Sequence, residues 1–262
     1  MSFGNRNGNL ERLACESLER KPVNFGPVSV DNLLNMPIRD VVDSAWAELF
    51  GPVDLRSPGV RVIFDPPGLD YRRIFLLRLG DGCTIGAPSD ITIDVAGMSP
   101  DEVFDPDVAG HFADGLILGP SWHGYLDATS FVKPEPCDAR RLQDGPLVDA
   151  FKGDIAPDEW SEGGFGHELD VAYGCFDGDE LVAMGNMTDF AGHPADVGLV
   201  THPKARGKGY GTRLAGAMIA DALETIEVLR YRALFTNLPS MAVARKLGFV
   251  GEGANIVVRL AD

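Results

Sequence analysis

Long apolar runs, clustered cysteines and an excess of positive charge are all missing from this 262-residue sequence. No apolar run approaches the ~20 residues with which a helix crosses a bilayer. The N-terminus has no basic start followed by an apolar stretch, so we expect no signal peptide. The four cysteines stand far apart, with no Cys-x-x-Cys pair and no histidine cluster at metal-ligand spacing. We therefore predict no membrane span, no metal site and a cytoplasmic location with reduced thiols.

The charge balance narrows the classes of partner. The formal net charge is -16, from 39 acidic and 23 basic side chains. Such a chain is a poor match for the phosphates of a nucleic acid, so we expect no nucleic-acid partner. A cationic substrate is allowed but not required. The length and the hydrophobic content of 45% indicate one large or two small globular domains.

Against this acidic background stands one basic, glycine-rich segment. The β-branched stretch Asp196 to Val200 predicts a strand, and an amphipathic helix is predicted from Thr212 to Glu224. Between them lie three glycines, Gly207, Gly209 and Gly211, and the cations Lys204, Arg206, Lys208 and Arg213. Glycines at a helix start allow positive φ and leave free N–H groups, which together form an anion-binding nest. The segment therefore predicts a phosphate site.

Two other glycine motifs do not fit this segment. A Walker loop requires Ser or Thr after Gly-Lys, but Gly209 follows Lys208. A Rossmann fingerprint requires a different final spacing from that of Gly207, Gly209 and Gly211. The remaining alternative is a helix N-terminus whose glycines serve only for close packing.

Two motifs in this part of the chain resemble one known family. Arg206 to Gly211 is similar to the acyl-CoA signature Arg/Gln-x-x-Gly-x-Gly/Ala of the GNAT superfamily of N-acetyltransferases. Asn237 to Phe249 resembles the family's second motif, and Tyr231 to Phe235 is predicted as the strand between them. The resemblance runs from near Ala139 to the C-terminus. It implies an α/β (α+β) fold whose mixed central sheet is splayed where the thioester enters.

The chain is predicted to have two parts. Residues 139–262 are the expected acyl-CoA-binding catalytic domain, and Val132 to Pro136 is the expected linker. Residues 1–135 contain no basic glycine turn and are predicted to be a smaller, non-catalytic α+β module. We favour a degenerate GNAT-like copy for this module, and an unrelated α+β cap is the alternative.

Local patterns predict most elements of both parts. In the first part they predict a helix over 29–50 with a break or second start at Pro37, a strand at 60–64, a hairpin over 71–85, a capping box at Ser99, a helix from Pro106, and separate short strands at 116–118 and 122–126. In the second part they predict a strand at 140–142, helices at 145–155 and 157–162, and a hairpin over 171–184.

The resemblance assigns roles in binding acetyl-CoA or another acyl-CoA. It implies that the N–H groups of Leu199 and Val200 hold the pantetheine and polarise the thioester carbonyl. The implied pyrophosphate site comprises Arg206, Gly207, Lys208, Gly209, Tyr210, Gly211 and Thr212. Asn237, with Ser240 nearby, would bind the pantetheine arm. Asn237 also suits a helix N-cap, and the two roles are compatible.

The groups that move protons are less defined. Many members of the family carry a tyrosine where this chain has Ala244, so the usual general acid is missing. Ser240, Cys175 or a water could replace it. Asp196 is our first candidate for the general base and Glu168 the second, and Asp196 could instead be a solvated charge at a strand edge. Further candidates are Asp170, Glu159, Glu162, His193 and His202, and residues 160–165 could line an acceptor pocket.

The resulting hypothesis is an N-acetyltransferase that moves an acetyl or other acyl group from acyl-CoA to a primary amine. The acceptor would be a small molecule or a peptide, attacking the thioester directly. The alternative is a catalytically silent acyl-CoA-binding sensor or scaffold, because Ala244 replaces the usual acid. A fold alone cannot separate these two functions.

Overall fold

The computed structural model describes residues 36–69, 72–136, 138–165, 172–190 and 193–261. The helices in these ranges are α1 Met36–Phe50, α2 Pro100–Val103, α3 Pro106–Phe112, α4 Pro146–Gly153, α5 Pro157–Glu162, α6 Tyr210–Ala222 and α7 Leu238–Leu247. The strands are β1 Gly59–Phe64, β2 Arg73–Leu79, β3 Gly82–Ala87, β4 Gly115–Leu126, β5 Arg140–Leu142, β6 Ala172–Asp177, β7 Glu180–Phe190, β8 His193–Thr201, β9 Leu229–Leu234 and β10 Val250–Leu260. None of the described helices has the length and apolarity needed to cross a membrane.

The ten strands of the described ranges form one mixed sheet, in the order β1-β3-β2-β10-β4-β9-β8-β7-β6-β5. Neighbours are parallel in the pairs β1–β3 and β8–β9 and antiparallel elsewhere. This confirms the predicted α/β class with a mixed sheet. The last strand, β10, pairs with both β2 and β4, so strands from before and after residue 135 belong to the same sheet. The division into two domains at that residue stays a prediction.

The two faces of the sheet carry different helices. Trp46 of α1 lies against Arg230 of β9, and the turn after α5 contacts Asn186 of β7 on the same face. We call this side of the sheet the α1 face. Strand residues that alternate with these, such as Tyr231, pack with α6 and α7 in the core of the opposite face. The alternation of side chains along β9 thus decides which residues lie near each set of helices.

Most predicted elements are present, and several differ in their extent. The helix predicted over 29–50 begins at Met36, and residues 29–35 lie outside the described ranges. The capping box at Ser99 forms as predicted. The separate strands predicted at 116–118 and 122–126 were wrong as a pair, because β4 runs continuously through both. Gly119 and Pro120 lie opposite the single residue Ile256 of β10, so a bulge in β4 accommodates the proline without ending the strand.

Candidate functional site

The ladder between β8 and β9, in the middle of the sheet, is short, and we call the stretch beyond its last registered pair the cleft. These parallel strands are in register only where Asp196 faces Arg230 and where Val197 faces Tyr231. Further along, both strands continue with no registered pair between them, β8 to Thr201 and β9 to Leu234. The backbone edges that face this cleft are therefore free to bond a ligand. The predicted splay of the central sheet is confirmed.

The glycine turn lies at the open end of the cleft. β8 ends at Thr201, a short 3-10 turn follows, and α6 begins after Gly209. Gly207 and Gly209 have φ of +77° and +88°, values that glycine adopts without steric cost. No side chain caps Gly209, so N–H groups of the first helical turn have no capping partner. A Cβ at either glycine would meet nothing within 4 Å, so open space lies before the turn.

Gly211 has a different role from the other two glycines. A Cβ there would lie 3.1 Å from Thr201 Oγ1 and 3.4 Å from Leu199 Cδ1. Its lack of a side chain therefore brings the first turn of α6 close against β8. The packing interpretation of the glycines fits Gly211, and the anion-nest interpretation fits Gly207 and Gly209.

Two of the four cations near the turn are already paired. Arg206 Nη2 lies 2.8 Å from Glu159 Oε2, and Arg213 Nη2 lies 2.7 Å from Asp138 Oδ1. Lys204 and Lys208 are exposed and form no ion pair within the described ranges. Because exposed ion pairs contribute little, Arg206 can exchange Glu159 for a ligand at small cost.

The strand edge limits which backbone donors face the cleft. Leu199 and Val200 pair with Gly185 and Met184 of β7, and this stretch of the ladder has no bulge. In an antiparallel ladder, successive N–H groups alternate between the partner strand and the other edge. One of these two N–H groups therefore faces the cleft and the other bonds β7. The predicted role, to hold the pantetheine and polarise the thioester carbonyl, stays a prediction and now applies only to the N–H group that faces the cleft.

The second motif forms the start of α7. Asn237 Oδ1 accepts a hydrogen bond from Ser240 N–H at 3.1 Å, so the predicted N-cap is confirmed. Ser240 Oγ lies 3.0 Å from the hydroxyl of Tyr231 on β9. Burial raises the pKa of Tyr231 to about 12. Ala244 is fully buried, whereas Cys175 lies on β6, two strands from β8. The Ser240–Tyr231 pair is thus better placed than Cys175 to give a proton near the cleft.

Asp196 closes the narrow end of the cleft. It is 4% exposed, and Arg230 donates to both of its oxygens, at 3.1 and 2.7 Å. Burial opposes its charge, but the guanidinium groups of Arg230 and Arg232 more than offset that effect and hold the pKa of Asp196 below its ordinary value. Asp196 is therefore not a solvated charge at a strand edge. Its role as base stays a prediction, and this ion pair weakens it as a proton acceptor.

Residues from distant parts of the chain enclose this ion pair. The Arg230 guanidinium lies 3.9 Å from the centre of the Phe190 ring. Trp46 of α1 stacks on His123 of β4 at 5.5 Å, with the rings 4° from parallel. Sequence reasoning missed these residues. The signal that could have found them is Arg230, a basic residue that is buried in β9 between Leu229 and Tyr231.

Two of the other candidate bases, His202 and Glu159, have their contacts at the glycine turn. Glu168 and Asp170 lie outside the described ranges. His202 is buried and accepts the Lys204 N–H through Nδ1 at 3.2 Å, which makes it part of the turn. Glu159 pairs with Arg206.

The segment at 160–165 is part of the core. Trp160 packs on Phe165 with ring centres 4.5 Å apart, and both side chains are buried. They share this cluster with Met184 of β7 and Val200 of β8. The two aromatic rings therefore support the sheet, and the expectation that residues 160–165 line an acceptor pocket stays a prediction.

Several solved structures resemble the chain. A GNAT-family protein from Novosphingobium aromaticivorans is 21% identical, with a TM-score of 0.41, and the match covers 56% of this chain and 66% of that one. A GNAT-family acetyltransferase from Colwellia psychrerythraea is 16% identical, with a TM-score of 0.43 and coverage of 62% and 63%. A tandem GNAT protein from the clavulanic acid biosynthesis pathway is 16% identical, with a TM-score of 0.35 and coverage of 72% and 66%. The matches thus leave about a third or more of each relative's length outside the alignment.

Comparison of the sequence with protein-family models gives a match to one part of the chain. No protein with a curated description matches the chain. The model of the acetyltransferase (GNAT) family matches residues 140–249, which include β5 to α7, the glycine turn and both sides of the cleft. Residues 140–249, less than half of the chain, are therefore similar to the acetyltransferase (GNAT) family.

Proposed function

We propose that the chain is an acyl-CoA-dependent N-acyltransferase, which moves an acetyl or other acyl group to a primary amine of a small molecule or peptide. The observation that carries this proposal is the position of the cleft. Its open end adjoins the uncapped turn at Gly207 and Gly209, and its closed end is the Asp196–Arg230 pair. An anion site joined to a slot between two strands suits a long ligand with a phosphate at one end.

The reaction requires that a C–N bond forms at the acyl carbon while the C–S bond breaks. The N–H of Leu199 or Val200 that faces the cleft would donate to the thioester oxygen as negative charge develops there. The departing thiolate has an ordinary pKa of about 8.5, so it leaves with modest assistance. The Ser240–Tyr231 hydroxyl pair could supply its proton.

The amine must also lose a proton in this reaction. Asp196 is our first candidate for the base, because it is one residue before the last registered residue of β8. Glu168 is the second candidate. If the Arg230 ion pair keeps Asp196 from acting, a water or the unprotonated fraction of the amine can serve, and the rate then rises with pH according to the pKa of the acceptor. A rate that rises with pH according to the acceptor's pKa would show that the loss of this proton is set by the acceptor and not by Asp196.

The test is thiol release from acetyl-CoA across a panel of primary amines, followed with a thiol reagent. We expect release that depends on both the amine and the protein. Binding of CoA without release for any amine or acyl chain would instead favour the silent sensor or scaffold. The fully buried Ala244 alone does not favour that alternative, because Ser240 and Tyr231 provide hydroxyls on the same side of the sheet.

The predicted cytoplasmic location and the absence of nucleic-acid and membrane partners remain part of this proposal. The described cysteines, Cys83 and Cys175, are free thiols and both are buried. Burial raises the pKa of each, so neither is a reactive thiolate.

A further inference from the structure

One guanidinium group at the closed end of the cleft, that of Arg232, forms no hydrogen bond with any residue that the structure describes. Arg230 and Arg232 are two residues apart on β9, and side chains at this spacing lie on the same face of a sheet. Both therefore project from the α1 face. Arg230 is fully engaged by Asp196. Arg232 Nη2 lies 3.6 Å from Asp196 Oδ2, beyond hydrogen-bond distance, and its side chain is 49% exposed. Within the described ranges Arg232 donates no hydrogen bond.

The local charge at this position is opposite in sign to that of the whole chain. Two guanidinium groups face one carboxylate, that of Asp196. His123 adds no charge, because burial lowers its pKa to about 3. The closed end of the cleft therefore carries one uncompensated positive charge in a chain whose formal net charge is -16. Such a position favours an anionic group on a ligand.

The cleft is also unequally covered on its two sides. On the β8 side, a Cβ added to Gly198 would collide with Asn186 Oδ1 and with the carbonyl oxygen of Gly163. The turn after α5 thus lies directly on this strand. On the β9 side, Arg232 is half exposed. A ligand that approaches from the α1 face therefore reaches the cleft along Arg232.

The register places Arg232 beside the predicted reaction centre. Gly198 is one residue beyond the last paired residue of β8, and Arg232 is one residue beyond that of β9. Leu199, one of the two predicted thioester donors, follows Gly198 directly. A group bound by Arg232 would therefore lie within a short side chain's reach of the attacking amine.

We propose that the acceptor carries a carboxylate close to its amine, as an α-amino acid does, and that Arg232 binds this carboxylate. This inference rests on the proposed function and specifies its acceptor. The planar guanidinium fork matches both oxygens of a carboxylate, and its single free charge matches a monoanion. The acidic composition alone allowed a cationic acceptor and gave no sign of a carboxylate site.

The experiment compares acceptors that differ only in the carboxylate. L-leucine is paired with 3-methylbutylamine, and L-phenylalanine with phenethylamine, in the thiol-release assay. The variants are Arg232→Gln, Arg232→Lys and the control Arg259→Gln, which removes another exposed arginine from a strand of the same sheet. Calorimetry with CoA measures cofactor binding, and calorimetry with each acceptor in the presence of CoA measures acceptor binding without turnover.

We expect the wild type to prefer each amino acid over its matched amine by about 10-fold to 100-fold in kcat/KM, the size of a charged hydrogen bond. Arg232→Gln should abolish the preference through KM for the amino acids, Arg232→Lys should retain part of it, and Arg259→Gln should retain all of it. CoA affinity should not change in any variant.

Two results would overturn the inference. The first is equal use of each amino acid and its matched amine by the wild type. The second is a preference that survives in Arg232→Gln. If no acceptor releases thiol, the proposed transferase function fails by itself, and the binding arm still decides. Amino-acid binding that is lost in Arg232→Gln would support the carboxylate site, and binding that is absent or unchanged would reject it.

Discussion

Replacing Asp196 by asparagine should strongly destabilise the protein, whether or not Asp196 is a base. Asp196 is 4% and Arg230 8% exposed, so the variant leaves a buried guanidinium without its carboxylate. Removing one partner of a buried ion pair costs about 3–5 kcal/mol. The matched control is Asp138→Asn, which breaks the exposed Arg213–Asp138 pair and should cost no more than about 1 kcal/mol.

Urea unfolding of the wild type and the two variants measures this difference. The shift for Asp196→Asn should depend on pH, because the folded-state pKa of Asp196 lies below the unfolded value of about 3.9. The stabilisation is then complete above that unfolded value and is lost as the pH falls through the folded pKa. The gap between wild type and Asp196→Asn should therefore narrow in acid. Equal, small losses in both variants would refute the reasoning.

The same variant tests the catalytic prediction if the assay is run where the protein remains folded. A base acts in the transition state, so its loss lowers kcat more than CoA affinity. A purely structural Asp196 would leave the pH profile of the folded variant unchanged, and Glu168 would then become the first candidate.

Three further predictions concern single residues. Gly209→Glu should lose CoA affinity in calorimetry. The control Gly178→Glu should retain that affinity, because Gly178 is also a positive-φ glycine with open space around it but lies in the β6–β7 turn. Equal CoA affinities of the two variants would reject the pyrophosphate site. His123→Phe should reduce the stability that is lost as the pH falls from about 6.5 to 3, by up to about 1.4 kcal/mol per pH unit. The reason is that the buried, neutral ring of His123 cannot take up the proton that the same residue binds in the unfolded chain. An unchanged slope of unfolding free energy against pH, measured by urea unfolding, would contradict this. Ala244→Tyr should destabilise the protein by about 1–3 kcal/mol without raising turnover, because the site is fully buried, and a stable, faster variant would show that an acid was missing there.

The sequence by itself determined the features that depend on neighbouring residues. The positive φ of Gly207 and Gly209, the N-cap of Asn237 and the capping box at Ser99 follow from residue types a few positions apart. Strand alternation and the two motifs also predicted the order of elements after Ala139. These features could be predicted because φ preferences, caps and hydrophobic periods are properties of short segments.

Only the tertiary structure decided what lies around the cleft. Asp196 meets Arg230 because β8 and β9 share two registered pairs, and Trp46 and His123 join them from elements far away in the chain. The insertion of β10 between β2 and β4 likewise has no local signal. Strand register and order are fixed by long-range packing, which adjacent residues do not encode. For that reason the sequence presented Asp196 as a candidate base, whereas the fold shows it in a buried ion pair with Arg230, with Arg232 3.6 Å away and half exposed.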